Sequence, residues 1–195
     1  MNIVIIKYNA GNVQSVYYAL ERLGYTATVS DEPAVIRSAD YVIFPGVGEA
    51  ASAMKYLQEK GLDSVIRSLT QPVLGICLGL QLMCSHSEEG NVDCLGIFPQ
   101  RVKRFPNTEK VPQIGWNDIF ELHNPVFKGI KEHSYVYFVH GYYAELGENT
   151  IATTYYTQNY SAALCKENFY AMQFHPEKSG DIGEQILRNF LELKN

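Results

Sequence analysis

Positive charge is in short supply in this chain. Against 21 Asp and Glu there are 16 Lys and Arg, a formal net charge of −5. No stretch concentrates those cations, so a nucleic-acid partner is not expected. Long hydrophobic runs are missing too, which excludes a membrane-spanning helix and any membrane role that needs one. The opening Met1-Asn2-Ile3-Val4-Ile5-Ile6 has no basic region before it and no cleavage site after it, so it reads as a first strand and not a signal peptide. Cysteine is sparse. Residues 77, 84, 94 and 165 make neither a C-x-x-C pair nor a disulfide framework, and a reducing cytoplasm is the simplest setting. His86, His123 and His133 stand among polar loop residues without ligand spacing, so neither a metal site nor a cofactor is expected. Repeats, linkers and low-complexity segments are absent as well. The 195 residues are enough to bury a sizeable core, and residues 1–195 read as one domain.

What is present in the first half is alternation of strand and helix. Ile3 to Ile6 enters a loop of turn formers, and Val13 to Leu23 follows as an amphipathic helix closed by Gly24. Thr26 to Ser30 is a second strand, followed by a short helix from Pro33. Tyr41 to Phe44 is a third strand, delivering Pro45-Gly46-Val47-Gly48. Helices over Glu49–Glu59 and Leu62–Leu69 lead to a fourth strand before residue 77. This order predicts an α/β fold with a mostly parallel central sheet flanked by helices. Ligand sites in such folds collect at the C-terminal strand ends. Beyond Gly90 come short alternating segments: Leu95–Phe98, Gln100–Arg104, Trp116–Phe120, Tyr135–His140, Ile151–Tyr156, Ala162–Lys166 and Phe169–Phe174. They are expected as antiparallel additions and hairpins on the same sheet, with Asp181 to Leu193 as a closing helix.

Gly75-Ile76-Cys77-Leu78-Gly79-Leu80-Gln81 is the stretch around which this pattern is organised. An apolar strand ends at a cysteine flanked by glycines and continues as a helix. Small neighbours allow the sharp turn that pushes a nucleophile into a cleft, and a helix N-terminus favours the thiolate form. The competing reading is a buried structural cysteine, the usual fate of a free thiol. Near the other end, Ala171-Met172-Gln173-Phe174-His175-Pro176-Glu177 ends an apolar strand in a histidine and a glutamate. A thiol nucleophile needs a base, and the base needs an anion to orient it. Two residues apart on an extended chain, His175 and Glu177 would point the same way.

G-x-C-x-G-x-Q followed about a hundred residues later by F-H-P-E resembles the class I glutamine amidotransferases, and the likeness runs the length of the chain. The resemblance implies a flavodoxin-like arrangement and a Cys77–His175–Glu177 triad. It also implies an oxyanion hole made by the Gly46–Val47 peptide and the N–H of Leu78. A glutamine site would be formed by Gly48, Gln81, Gly141, Tyr142 and an acid of Ser87-Glu88-Glu89-Gly90, with Glu89 placed ahead of Glu88. His140 has apolar neighbours and no nearby acid, so it reads as a core histidine and His175 as the base.

Tyr8-Asn9-Ala10-Gly11-Asn12, Pro45-Gly46-Val47-Gly48, Ile114-Gly115-Trp116-Asn117 and Tyr137-Phe138-Val139-His140 are similar to the branch whose glutaminases serve imidazole glycerol phosphate synthesis. That branch implies a partner, a (β/α)8-barrel cyclase subunit forming a heterodimer. The partner would meet a rim carrying Asn12, Trp116 (in a Gly-Trp-Asn turn), Tyr137 and Lys178. Lys7 stands where relatives have an acid, Asn9 where they have a Gly, and Gly141 where they often have Ser or Thr. Asn at position 9 is the substitute best able to take positive φ. Glutaminases for pyridoxal phosphate synthesis or chorismate amination stay open as alternatives, although the first carries Ala after the cysteine and the second usually a different oxyanion loop. A catalytically silent regulatory subunit is the reading from another class.

Overall fold

The computed structural model describes residues 1–193. Its first half alternates β1 (Ile3–Ile6), α1 (Val13–Arg22), β2 (Ala27–Ser30), α2 (Pro33–Arg37), β3 (Tyr41–Gly46), α3 (Ala50–Glu59), α4 (Leu62–Arg67), β4 (Val73–Cys77) and α5 (Leu78–Met83). The second half adds β5 (His86–Ser87), β6 (Val92–Asp93), β7 (Arg101–Arg104), β8 (Gln113–Ile119), β9 (Ser134–His140) and β10 (Tyr142–Ala144). It closes with β11 (Thr150–Tyr156), β12 (Gln158–Lys166), β13 (Phe169–Met172) and α6 (Gly180–Leu191). The main sheet has seven strands in the order β11-β12-β13-β4-β3-β1-β2. Strands β2, β1, β3, β4 and β13 are parallel, and β12 and β11 extend the edge antiparallel.

Continuous apolar runs make the inner strands, because a parallel sheet covered on both faces buries both sets of side chains. Along β1, Val4 and Ile6 enter one core with Phe44, Met54, Leu57 and Met83. Ile3 and Ile5 enter the other, with Leu20, Ile76, Phe138 and Phe190. The helices therefore split between the faces: α3, α4 and α5 cover the first, α1 and α6 the second. The C-terminal ends of β1, β3, β4 and β13 meet at one edge, and this is where the chemistry-bearing residues gather.

Several local expectations are corrected here. Leu95–Phe98 is no strand. Its N–H groups instead meet the last carbonyls around α5: Leu95 to Leu82 at 2.8 Å, Gly96 to Cys84 at 2.8 Å and Ile97 to Met83 at 2.9 Å. A helix end leaves those carbonyls unpaired, and this segment caps them. The antiparallel strands also do not all join the main sheet. Strands β10, β7, β5 and β6 form a separate four-stranded sheet, and β8 with β9 a two-stranded ribbon. Trp116 lies within β8 and not in a turn. Asn9 does not take positive φ, and its side chain reaches the Ser52 carbonyl at 3.3 Å.

Candidate active site

Strand β4 hands over to α5 with no loop between them, and Cys77 is the joint. Its φ of 54° and ψ of −107° lie where a non-glycine residue is strained. Packing pays for that strain: a Cβ at position 79 would collide with the Phe44 carbonyl oxygen, so α5 can approach β3 only with glycine there. The cysteine is nearly buried, and Leu78 is the first helical residue, so its N–H has no partner one turn back.

His175 and Glu177 are both buried, and His175 Nδ1 donates to Glu177 Oε1 at 2.8 Å. The connection is not extended: Pro176–Lys178 is a single 3-10 turn with His175 as its N-cap. Ser179 fixes this turn, donating to the His175 carbonyl at 2.6 Å and accepting from Tyr137 N–H at 2.9 Å. The Tyr137 carbonyl accepts from His175 N–H at 2.9 Å. Burial alone pulls the His175 imidazole down, but the neighbouring Cys77 sulfur and the Glu177 carboxylate, with their negative charges, carry it upward overall. Such a histidine accepts the thiol proton readily and holds it.

Cys77 and His175 open onto a cavity of about 210 Å³, also lined by Val47, Gly48, Leu78, Gln81, Glu89, Val139, His140, Gly141, Tyr142 and Lys178. That is below the range that encloses drug-sized ligands and suits a small polar metabolite. Gly48, at φ 120°, lets the backbone turn at the rim. Gly46 is not in the lining; it is the last residue of β3 and pairs with Cys77. Gln81 donates both amide hydrogens, to the Tyr142 carbonyl at 2.9 Å and to Gln173 Oε1 at 3.1 Å, so only its oxygen is left for a ligand. Glu89 faces the cavity and accepts from Ala50 N–H at 2.9 Å. Burial raises its carboxyl, Ala50 lowers it and Glu49 raises it, with a net upward shift. Glu88 points elsewhere, accepting from Arg104 N–H at 2.8 Å. A Cβ at Gly141 would come no closer than 3.4 Å to Val111, so packing leaves room for the Ser or Thr expected there. Among the described residues no group of three or more His, Cys, Asp or Glu is set to hold a metal ion.

Residues 4–193 match the family described as Glutamine amidotransferase class-I. The chain belongs to this family. Among its relatives is the imidazole glycerol phosphate synthase subunit HisH of Bacteroides fragilis, 59% identical over 99% of this chain and 100% of that one. The protein of the same name from Haemophilus influenzae is 48% identical over 98% of each chain. A solved glutamine amidotransferase superposes with a TM-score of 0.76 at 21% identity, covering 97% of both chains; at that identity the likeness speaks for the fold.

In this amidotransferase the second histidine at the cavity is built differently from the first. His140 Nδ1 donates to the Tyr142 carbonyl at 2.7 Å, and Nε2 lies 3.0 Å from the Tyr160 hydroxyl and 3.1 Å from Gln113 Oε1. Burial, opposed by the Tyr142 carbonyl and aided by His175, lowers His140 to about 4 from an ordinary 6.5. Between these values the unfolded chain binds the proton and the folded one does not, so His140 contributes stability above pH 6.5 that is lost on acidification. The expected loss is about 3 kcal/mol by pH 4. Urea unfolding from pH 7 to pH 4 should show a shallower slope in His140→Gln than in the parent; parallel slopes would reject the assignment.

Two contacts of the amidotransferase site went unread in the sequence. The Val139 carbonyl accepts from Cys77 Sγ at 3.7 Å, and Gln173 Nε2 donates to the same sulfur at 3.8 Å. Gln173 carried a signal. It is the one polar residue in the apolar run Ala171–Phe174 and lies two positions before His175, just past the end of β13. Asn12, Trp116 and Tyr137 lie outside the cavity lining. Asn12 stands at the N-cap position of α1 without a side-chain bond to its backbone, its Oδ1 accepting instead from the Ser15 hydroxyl at 2.8 Å.

Proposed function

We propose that this chain, acting as one domain, hydrolyses glutamine to glutamate and ammonia and passes the ammonia to a separate synthase subunit. The observation that carries this is the buried thiol–imidazole–carboxylate line, Cys77 to His175 to Glu177, opening onto a cavity of amino-acid size. The Cys77 thiolate attacks the side-chain amide carbon. His175, as imidazolium, gives its proton to the departing nitrogen, and a γ-glutamyl thioester remains. Neutral His175 then takes a proton from water, the hydroxide adds to the thioester, and the thiolate leaves as glutamate forms. Glu177 holds Nδ1–H throughout, keeping Nε2 towards the sulfur. The N–H groups of Val47 and Leu78 hold the oxyanion, each worth about 3 kcal/mol in the transition state. Glu89 and the Gln81 oxygen, both acceptors, hold the α-ammonium group, while Gly48, Gly141 and Tyr142 wall the site. A reducing cytoplasm is the setting that keeps the thiol usable.

The partner, on this reading, is a (β/α)8-barrel cyclase forming a heterodimer and making imidazole glycerol phosphate, in keeping with the names of the relatives. Ammonia released into neutral water would be protonated and lost as a nucleophile, so the barrel has to cover the strand ends. The ribbon offers an anchor there: Trp116 is 55% exposed and meets Tyr137 across the ribbon, ring centroids 5.9 Å apart. Because Tyr137 is hydrogen-bonded to both Ser179 and His175, docking on the ribbon bears directly on the triad. Exposed Lys178 and the α1 cap at Asn12 complete the rim.

Trp116→Ala and Lys178→Ala are expected to weaken barrel binding about tenfold each while leaving the fold intact. The Lys178 effect should be largest at low ionic strength. Calorimetric titration of each variant tests this, and unchanged affinity in both would remove the ribbon rim from the interface. Ammonia release from glutamine, with and without the barrel and its nucleotide ligand, tests the function itself. Stimulation by the loaded barrel is expected; no glutamate formation under either condition rejects the reading.

A further inference from the structure

Gln173 is fully buried, and a buried amide is unfavourable unless its polar atoms are engaged. Both ends are. Its oxygen accepts from Gln81 Nε2 at 3.1 Å and its nitrogen donates to Cys77 Sγ at 3.8 Å. The orientation follows from chemistry. The Tyr142 carbonyl can only accept, so the Gln81 atom 2.9 Å away must be the nitrogen. That nitrogen, turned to Gln173, must meet an oxygen, and the donor end of Gln173 is thereby left facing the sulfur.

The sulfur thus sits between opposite contacts. The Val139 carbonyl at 3.7 Å can accept only from a protonated thiol. The Gln173 N–H favours a thiolate and gains little from a neutral thiol or a thioester sulfur. We propose that Gln173 is a positioning residue for the nucleophile: held by Gln81 and the Tyr142 carbonyl, it aims an N–H at Cys77 that stabilises the thiolate before attack and again as the sulfur leaves the thioester. The titratable groups around this sulfur are His175 with Glu177 behind it, the buried Tyr8 hydroxyl, and Glu89, His140 and Lys178 in the cavity wall. None of them occupies the position of the Gln173 amide, so its removal leaves one face of the thiolate without a donor.

This inference rests on Cys77 being the nucleophile, and alkylation separates the two claims. The full chain and its Gln173→Met variant, similar in length but without an N–H, are treated with iodoacetamide from pH 5 to pH 10, and the Cys77 peptide is followed by mass spectrometry. The expected result is a midpoint moved up by about half a unit, with about a threefold slower reaction at pH values below the midpoint. A merely loosened fold would expose Cys77 and speed alkylation without moving the midpoint. An unchanged midpoint overturns the inference and leaves the nucleophile standing; a Cys77 no more reactive than Cys165 in the parent chain overturns both. Should the variant not fold, the parent chain decides. Its Gln173 side-chain amide resonance should move as the Cys77 thiolate forms, and not in Cys77→Ser. A resonance indifferent to the thiolate overturns the proposal.

Discussion

Cys77→Ser is expected to cut ammonia release from glutamine by at least about 10⁴-fold, the scale on which loss of a triad nucleophile acts. The serine hydroxyl fits the same space, but His175 is arranged for a thiolate and not for a much weaker acid. On the proposed function, synthesis fed with ammonium salts through the barrel should continue, because Cys77 would serve only the hydrolytic half. Stability should change little, since the substitution keeps the side chain's shape at the strained elbow. Glutamate formation measured alongside ammonium-dependent synthesis gives both halves in one experiment. Glutamate release at the parent rate would remove Cys77 from the mechanism. Loss of the ammonium-dependent rate as well would mean that the substitution disturbs docking.

Gly79→Ala should be among the most damaging one-carbon changes near the site. The added Cβ would collide with the Phe44 carbonyl oxygen and lie 3.1 Å from its carbonyl carbon. Backbone cannot turn aside as a flexible side chain can, so α5 and β3 must separate. A cost of about 3 kcal/mol is expected, lowering Tm by roughly 10 °C at this chain length. Activity should fall further than stability requires, because β3 carries Gly46, Val47 and Gly48 towards the sulfur and α5 carries Leu78. Gly141→Ala is the control: its Cβ meets nothing closer than 3.4 Å, and a change within about 0.5 kcal/mol is expected. Thermal unfolding of the two variants checks this, and equal Tm values would show that the elbow tolerates the separation.

The first half of the fold was legible residue by residue because it is written in local periodicity. Apolar runs of four or five residues alternate with amphipathic segments, and each element ends at a residue of known habit, such as Gly24 after α1. The glycine-flanked Cys77 and the His175-Pro176-Glu177 run were legible for a similar reason: each is a short motif whose residue types already imply a use. The second half was less so. A short alternating segment states that one face is buried but not which sheet it joins, and β7 to β10 left the main sheet while Leu95–Phe98 went to cap α5.

Local alternation of apolar and amphipathic segments predicted the α/β class and the parallel pairing of the early strands, and the resemblance carried by two short motifs named the triad candidates. Tertiary structure alone decided that Glu89 and not Glu88 faces the cavity, that Gln81 offers only its oxygen, and that Gln173 touches Cys77. The partners in those contacts are 61, 92 and 96 residues apart for Gln81 with Tyr142, Gln81 with Gln173 and Gln173 with Cys77. A local pattern fixes only which way a side chain leaves its own strand or helix. Which acceptor it then meets depends on how the sheet brings distant strand ends to one edge, and in a buried site each donor so placed constrains the next.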